Sequence, residues 1–416
     1  MSAALAAQLS LHASAANRLQ HCCRNLLAAL HCNTTMSPSP EGAALAQYIR
    51  EELNGACSAK LDLCATLPCD GDAERSVVAL QDITEGETLL RVPVEGCLRG
   101  RGDAVATELS KRLHESSDPY VATLPTNPPG LESWTPAERL LLRGTRLEHA
   151  LQGDADRAAL LVRTRCVRVS EDEVALVPGV DALNDASGRA APSTTLRIGA
   201  CFEMVAERSI KQGEEVTHAY DDVVDAADYL ERYGFAPVVT TCSKVFAVED
   251  IVEASQNPSR REVCSIVLAS SRGRVCVTTM EPLPDDLLNA VLVCILQDEE
   301  ELAELMACTI EEHDEDGRDP AAWSNVDARG LLQQASDVER ELVAAGLARL
   351  ADNALAAYVL SASAECDPTR VEAARRVRDS ERSACIALRA ALKDLAWLGA
   401  PPPSRKRGRD EDSEGA

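Results

Sequence analysis

With 3 phenylalanines, 3 tryptophans and 6 tyrosines in 416 residues, this chain cannot build its interior from rings. Its cores must rest on Ala, Leu and Val, the small and aliphatic side chains that fill tightly packed interiors. Against that background, GEEVTHAYDDVVDAADYLERYGF, residues 213–235, holds half of the tyrosines and one of the phenylalanines. The stretch reads as a strand, EEVTHAY, ending at Tyr220. A helix from Asp225 to Tyr233 follows, closed by Gly234 as a normal C-terminal stop. Tyr229 lies one helical turn before Tyr233 and shares its face. A strand–helix hairpin of this kind brings Tyr220 and Tyr233 toward one place. Taken alone, Tyr233 and Phe235 also read as ordinary core aromatics at a helix end.

The length suits two or three domains, each with its own core. The longest apolar run, around Leu287 to Leu296, is far short of the roughly 20 residues that a spanning helix needs, so the chain reads as a soluble protein. Its formal charge is −25, with no basic stripe in the body. Phosphate contacts need clustered Lys and Arg, so a nucleic-acid binder is disfavoured, and a basic partner suits the charge. The 16 cysteines contain no C-x-x-C spacing. Zinc sites and disulfide frameworks are therefore not expected; reduced thiols in an intracellular compartment are.

Residues 1–40 hold no Asp or Glu, are rich in Ala and Ser, and carry Arg18 and Arg24. That composition fits a transit peptide; an amphipathic or upstream extension with Met36 as a second start fits equally. Apolar spacing predicts a helix over Ala43–Leu53. SVVALQDITEGETLLRVPVEGCL (76–98) reads as strand, turn, strand about Glu85-Gly86. From 101 to 165 the pattern is helical, broken at LPTNPPG (124–130). Short strands return at 174–178, 196–210 and 214–220. Beyond Val238 the texture changes: a few strands within 244–277, then long helical patterns over 283–307, 328–362 and 369–397. The acidic tract 311–316 reads as a solvated loop. The tail 401–416 reads as disordered, and its cluster Arg405, Lys406, Arg407, Arg409 as a candidate nuclear address.

Four stretches, in order, resemble the SET-domain methyltransferases of the Rubisco large-subunit type. SVVALQDITEGETLLRVP resembles their opening strands. Residues 118–147 resemble the helical insertion, with W-x-x-x-E (Trp134, Glu138) and L-x-G-T (Leu142, Gly144, Thr145). LVPGVDALND (176–185) resembles P-x-x-D-x-x-N-H, and the tyrosine-rich stretch resembles the closing G-E-E…Y…Y-G-F. The resemblance runs from about Leu45 to Leu398. It implies an α+β chain: a β-rich SET fold over 41–238, split by a helical insertion at about 101–165. An all-α substrate-binding domain over 239–398 follows, leaving an extension (1–40) and a disordered tail (399–416).

The implied activity is methyl transfer from S-adenosyl-L-methionine to a lysine of a protein substrate, gripped by the helical domain; some relatives use histidine. A free lysine has a pKa of roughly 10.4, so burial in an apolar channel is needed to yield the neutral amine. Nitrogen, methyl and sulfur must line up at about 3 Å. Tyrosine gives such a channel a rigid wall and a hydroxyl that accepts weak C–H···O contacts. By resemblance Tyr220 is the catalytic tyrosine and Tyr233 the second channel wall on its opposite side. Asn184, Asp185, Asp181, Arg165, Glu74, Ser76 and Tyr220 are the implied cofactor contacts, with Asp181 bracing its loop and Arg165 holding a carboxylate. Taken alone, Asn184-Asp185 reads as a turn, Arg165 as a surface charge and His218 as a core histidine.

The chain departs from the family twice. Asp185 stands where the family has histidine. Glu74-Arg75-Ser76 stands where it has G-x-G, so side chains are expected where glycine lets backbone approach the cofactor; Gly71 could serve only if that loop were displaced. These departures support an alternative, a catalytically inactive SET-like protein-binding module. No metal, nucleic acid or membrane is implied, and a monomer is expected. The expected location is cytoplasm or nucleus, or plastid or mitochondrion if residues 1–40 are a transit peptide.

Overall fold

The computed structural model describes residues 36–69, 72–115, 118–148, 150, 156–186, 191–220, 225–237, 241–268, 273–295, 337–357 and 366–393. Residues 1–35, Gly71, the acidic tract and the basic tail lie outside the described residues. The chain divides into two compact units. The first takes residues 1–134, 152–224 and 228–240; the second takes 135–151, 225–227 and 241–416. Residues 135–151, inside the stretch that reads from sequence as a helical insertion, thus fall in the second unit.

The first unit opens with α1 (Pro40–Glu51), where the sequence predicts a helix. Ser39 caps it by accepting from the Gly42 N–H, with Pro40 at the first helical position. Its buried face of Leu45, Ala46 and Ile49 sits on the core. Strands β1 (Ala56–Cys57), β2 (Leu61–Cys69), β3 (Asp72–Ala79), β4 (Thr88–Pro93) and β5 (Leu98–Gly100) follow. Helices α2 (Gly102–Glu115), α3 (Pro119–Thr123), α4 (Pro136–Arg139) and α5 (Arg157–Arg165) come next, α4 belonging to the second unit. Then come β6 (Val167–Arg168), β7 (Val174–Leu176), β8 (Asn184–Asp185), β9 (Thr194–Ile198), β10 (Cys201–Ala206), β11 (Thr217–His218) and α6 (Ala226–Tyr233).

Three sheets result: β1-β4-β10-β9-β11-β8, the hairpin β2-β3, and β5-β7-β6. β11 runs parallel to β8, Thr217 opposite Asn184 and His218 opposite Asp185. Just before β11, Glu215 bridges Val78 of β3, and the Val216 N–H donates to the Val77 carbonyl at 2.8 Å. One short run, 215–218, therefore touches both β3 and β8, bringing together segments far apart in sequence. The core beneath is aliphatic, as the composition demands: Leu63, Leu89, Leu90, Leu161 and Leu176 surround Phe202, the one buried phenylalanine of this cluster.

The second unit contains the hairpin β12 (Ser243–Ala247) and β13 (Arg274–Thr278), enclosing α7 (Val248–Ser255) and α8 (Arg261–Val267). Among the described residues three longer helices follow: α9 (Asp285–Ile295), α10 (Asp337–Ala357) and α11 (Pro368–Lys393). Segment 135–151 is fastened to them by charge. Glu138, 3% exposed, closes a capping box with Thr135 and also accepts from the Asp367 N–H at 3.0 Å and Arg370 Nη1 at 2.6 Å. Arg378 Nε donates to the Leu141 carbonyl at 2.6 Å. Buried Lys244 pairs with Glu381 at 2.8 Å, and Glu381 also accepts from the Arg146 N–H at 3.0 Å. Gly144 has φ +81°, and a Cβ there would lie 2.7 Å from the Ala357 carbonyl oxygen, so only glycine fits.

Candidate active site

The helix of the tyrosine-rich stretch forms where its pattern predicts, while the strand expected over 214–220 is confined to Thr217–His218. Tyr220 comes two residues after β11, and α6 ends at Tyr233 because Gly234 turns left-handed, φ +81°. A Cβ on Gly234 would lie 2.7 Å from the Pro129 carbonyl carbon, so the chain passes against backbone there. Tyr220 and Tyr233 ring centroids are 4.9 Å apart at 52°. Tyr229 lies 5.3 Å from Tyr233 and 5.4 Å from Phe235, while Phe235 lies 6.4 Å from Tyr233. These separations are those of tilted and edge-on ring pairs in contact. The Tyr220 and Tyr233 rings are in contact, and Tyr229 and Phe235 continue them into one aromatic wall. Tyr229 lies buried at its base, and Phe235, 37% exposed, at its rim.

Tyr220 is held at both ends. Its N–H donates to Asp185 Oδ1 at 3.0 Å, and its hydroxyl donates to the Leu183 carbonyl at 2.7 Å. The parallel pairing of β8 with β11 sets up both contacts. Burial pushes the Tyr220 phenol well above its usual range; the Arg165 guanidinium opposes this only in part. It is therefore a neutral phenol whose proton is committed and whose oxygen lone pairs remain able to accept. The Tyr229 hydroxyl reaches the same Asp185 Oδ1 at 3.3 Å.

Asn184, beside Asp185, turns its amide nitrogen toward β3. Nδ2 lies 3.0 Å from the Arg75 carbonyl, from Ser76 Oγ and from Glu215 Oε1. Ser76 is fully buried and its hydroxyl donates to Glu215 Oε1. Glu74 stands on β3 opposite Leu67; its side chain is outside the described residues. Alternation along β3 sends Arg75 the other way, where Nη1 donates to the Thr123 carbonyl. Arg165, the last residue of α5, donates through Nη1 to the Asp181 carbonyl at 2.6 Å. The Asp181 carboxylate is 5% exposed and accepts from the Gly179 N–H at 3.0 Å. Burial raises its pKa, against the pull of Arg75 and Arg165.

Of the residues singled out from sequence, Tyr220, Tyr233, Asn184, Asp185 and Ser76 are linked by direct contacts through Glu215 and Tyr229. Asp181 and Arg165 form a second cluster with Arg75 and the Tyr120 phenol, whose pKa is raised by burial and by Asp181. Sequence reasoning did not mark Glu215, which reads only as an early residue of the strand EEVTHAY. Nor did it give Arg75 or Tyr120 a partner. His218 is half-buried, and its carbonyl accepts from the Ala186 N–H at 2.9 Å. Among the described residues no group of His, Cys, Asp and Glu is placed to hold a metal ion, and no helix is long and apolar enough to cross a membrane.

No protein-family model matches the chain, and no curated protein sequence does. Solved structures do. A crystal structure of the SET domain of LSMT bound to lysine and AdoHcy aligns with TM-score 0.61 at 16% identity, covering 88% of this chain and 93% of that one. Rubisco LSMT bound to sinefungin and monomethyllysine aligns with TM-score 0.59 at 15% identity, over 91% and 98% of the two chains. Rubisco LSMT bound to AdoMet aligns with TM-score 0.56 at 15% identity, over 88% and 98%. The chain has the mixed α+β fold of these proteins along nearly its whole length.

Proposed function

We propose that this chain transfers a methyl group from S-adenosylmethionine to a lysine side chain of a protein. The observation that carries the reading is Tyr220. A neutral, half-buried phenol, fixed by Leu183 and Asp185, forms part of an aromatic wall that reaches solvent at Phe235. Such a wall strips water from an incoming ammonium and so favours the neutral amine. The Tyr220 oxygen offers lone pairs to polarised C–H groups at the point where the amine is delivered. The solved structures that share the fold bind AdoMet or AdoHcy, and lysine or monomethyllysine.

The residues fit the amino-acid end of that cofactor. Arg165 Nε is a buried donor without a partner, and Asp181 Oδ2 a buried acceptor with only the Tyr120 phenol beside it. A ligand carrying both a carboxylate and an ammonium satisfies both, and leaving them unmet costs about 1–3 kcal/mol apiece or more. Arg165 and Asp181 would hold that end, and Asn184 and Asp185 would line the path to Tyr220. When bound, S-adenosylmethionine supplies an electrophilic methyl on sulfur.

One observation favours a second reading, a binding module without catalysis. Asn184 and Ser76 meet their hydrogen-bonding needs on Glu215 and the Arg75 carbonyl, with no ligand required. Calorimetric titration with S-adenosylmethionine separates the two, since only the enzyme takes up cofactor. The methyltransferase reading then predicts label transfer from tritiated cofactor into lysate protein. It also predicts that Tyr220→Phe lowers transfer at least tenfold while cofactor affinity stays within about threefold, roughly the worth of one transition-state contact. Equal labelling by the variant would overturn the assigned role.

A further inference from the structure

The guanidinium of Arg75 has a side left over. Nη1 is used on the Thr123 carbonyl. Nε and Nη2 are buried and make no hydrogen bond. Those two nitrogens form the side-on fork of the group, two parallel N–H bonds spaced to meet both oxygens of one carboxylate. Arginine cannot shed its proton to relieve burial, so an unmet fork stays a desolvated cation. Asp181, whose field Arg75 feels, does not fill it: Oδ1 takes the Gly179 N–H, and Oδ2 makes no hydrogen bond to Arg75 and has the Tyr120 phenol beside it. The Cys64 thiol lies within reach of the guanidinium; burial raises its pKa, and a neutral sulfur is only a weak acceptor.

Arg75 is the middle residue of Glu74-Arg75-Ser76, the run that replaces two glycines. Its carbonyl binds Asn184 while its fork lies in the cluster with Asp181. We propose that the Nε–Nη2 edge of Arg75 grips the carboxylate at the amino-acid end of the cofactor, so that a side chain does here what close-approaching backbone does beside glycine. This rests on the methyltransferase reading above. It makes the missing glycines a substitution of one recognition device for another.

The test is calorimetry on the full chain with two probes, S-adenosylmethionine and its decarboxylated form. The wild type is expected to bind the first at least tenfold more tightly. Arg75→Met is expected to weaken S-adenosylmethionine at least tenfold, leave the decarboxylated probe within threefold, and so cut the preference to the part that Arg165 supplies; Arg75→Lys is expected to restore part of it. Equal affinity of the wild type for both probes overturns the proposal without recourse to any variant. A preference undiminished in Arg75→Met, or an equal loss for both probes, overturns it while the methyltransferase reading stands. A wild type that binds neither probe removes that reading, and the role of Arg75 with it.

Discussion

Asp185 Oδ1 lies 3.0 Å from the Tyr220 nitrogen and 3.3 Å from the Tyr229 hydroxyl, so one carboxylate oxygen ties the strand end to the helix that carries the aromatic wall. This is the position where the resembled family has histidine. A carboxylate accepts from both partners at once; a neutral imidazole has a single acceptor nitrogen.

Replacing Asp185 is therefore expected to loosen both tyrosines. Hydrogen bonds to a charged group are worth about 1.5–3 kcal/mol. Asp185→Ala should lose about that much stability in denaturant titrations, and Asp185→Asn, which keeps an acceptor oxygen, less. Asp185→His should fall nearer Ala than Asn, despite restoring the family residue. An alanine variant within about 0.5 kcal/mol of wild type, the scatter of surface substitutions, contradicts the bracing role.

The buried phenols set an alkaline limit. Burial raises Tyr120 and Tyr220 above the ordinary value, while tyrosines of the unfolded chain ionise at about 10. Above that pH the unfolded state binds fewer protons than the native one, so stability is full below about 10 and declines as pH rises. Tyr120→Phe should make that decline shallower. An unchanged slope between wild type and variant would show that Tyr120 ionises freely in the fold.

Glu138 sets an acid limit in the second unit. Burial pushes its pKa up, but the Thr135 and Asp367 N–H groups and Arg370 outweigh that and hold it down at about 2. An unfolded glutamate titrates near 4.3. Its contribution is thus present above about 4.3 and is lost as pH falls toward 2. Glu138→Gln should be less stable at pH 6 and less sensitive to pH below 4.5, by roughly one proton's worth of slope. Parallel pH–stability curves would exclude Glu138 as a source of the acid dependence.

Lys244 and Glu381 form an ion pair with side chains 9% and 1% exposed. Breaking such a pair strands a buried charge, at about 3–5 kcal/mol. Lys244→Met should show that loss. The double variant Lys244→Met with Glu381→Gln should recover much of it, because glutamine still accepts from the Arg146 N–H. A double variant as unstable as the sum of the singles means the two side chains act independently.

Much of this was legible in the residues themselves. The helix ending at Tyr233, its glycine stop, the aliphatic cores and the strands on either side of Glu85-Gly86 follow from periodicity and turn chemistry, which act over a few neighbours. Four motifs in order pointed to the fold that the solved structures share. What tertiary structure alone decided is which polar groups meet. Asp185 reaches Tyr220 across 35 positions, Arg75 reaches Thr123 across 48, and Ser76 reaches Glu215 across 139. Such pairings depend on strand order and register, not on local pattern. For the same reason the sequence marked Arg75 only as an obstruction, and it took the fold to show that its Nε and Nη2 are buried without a hydrogen bond.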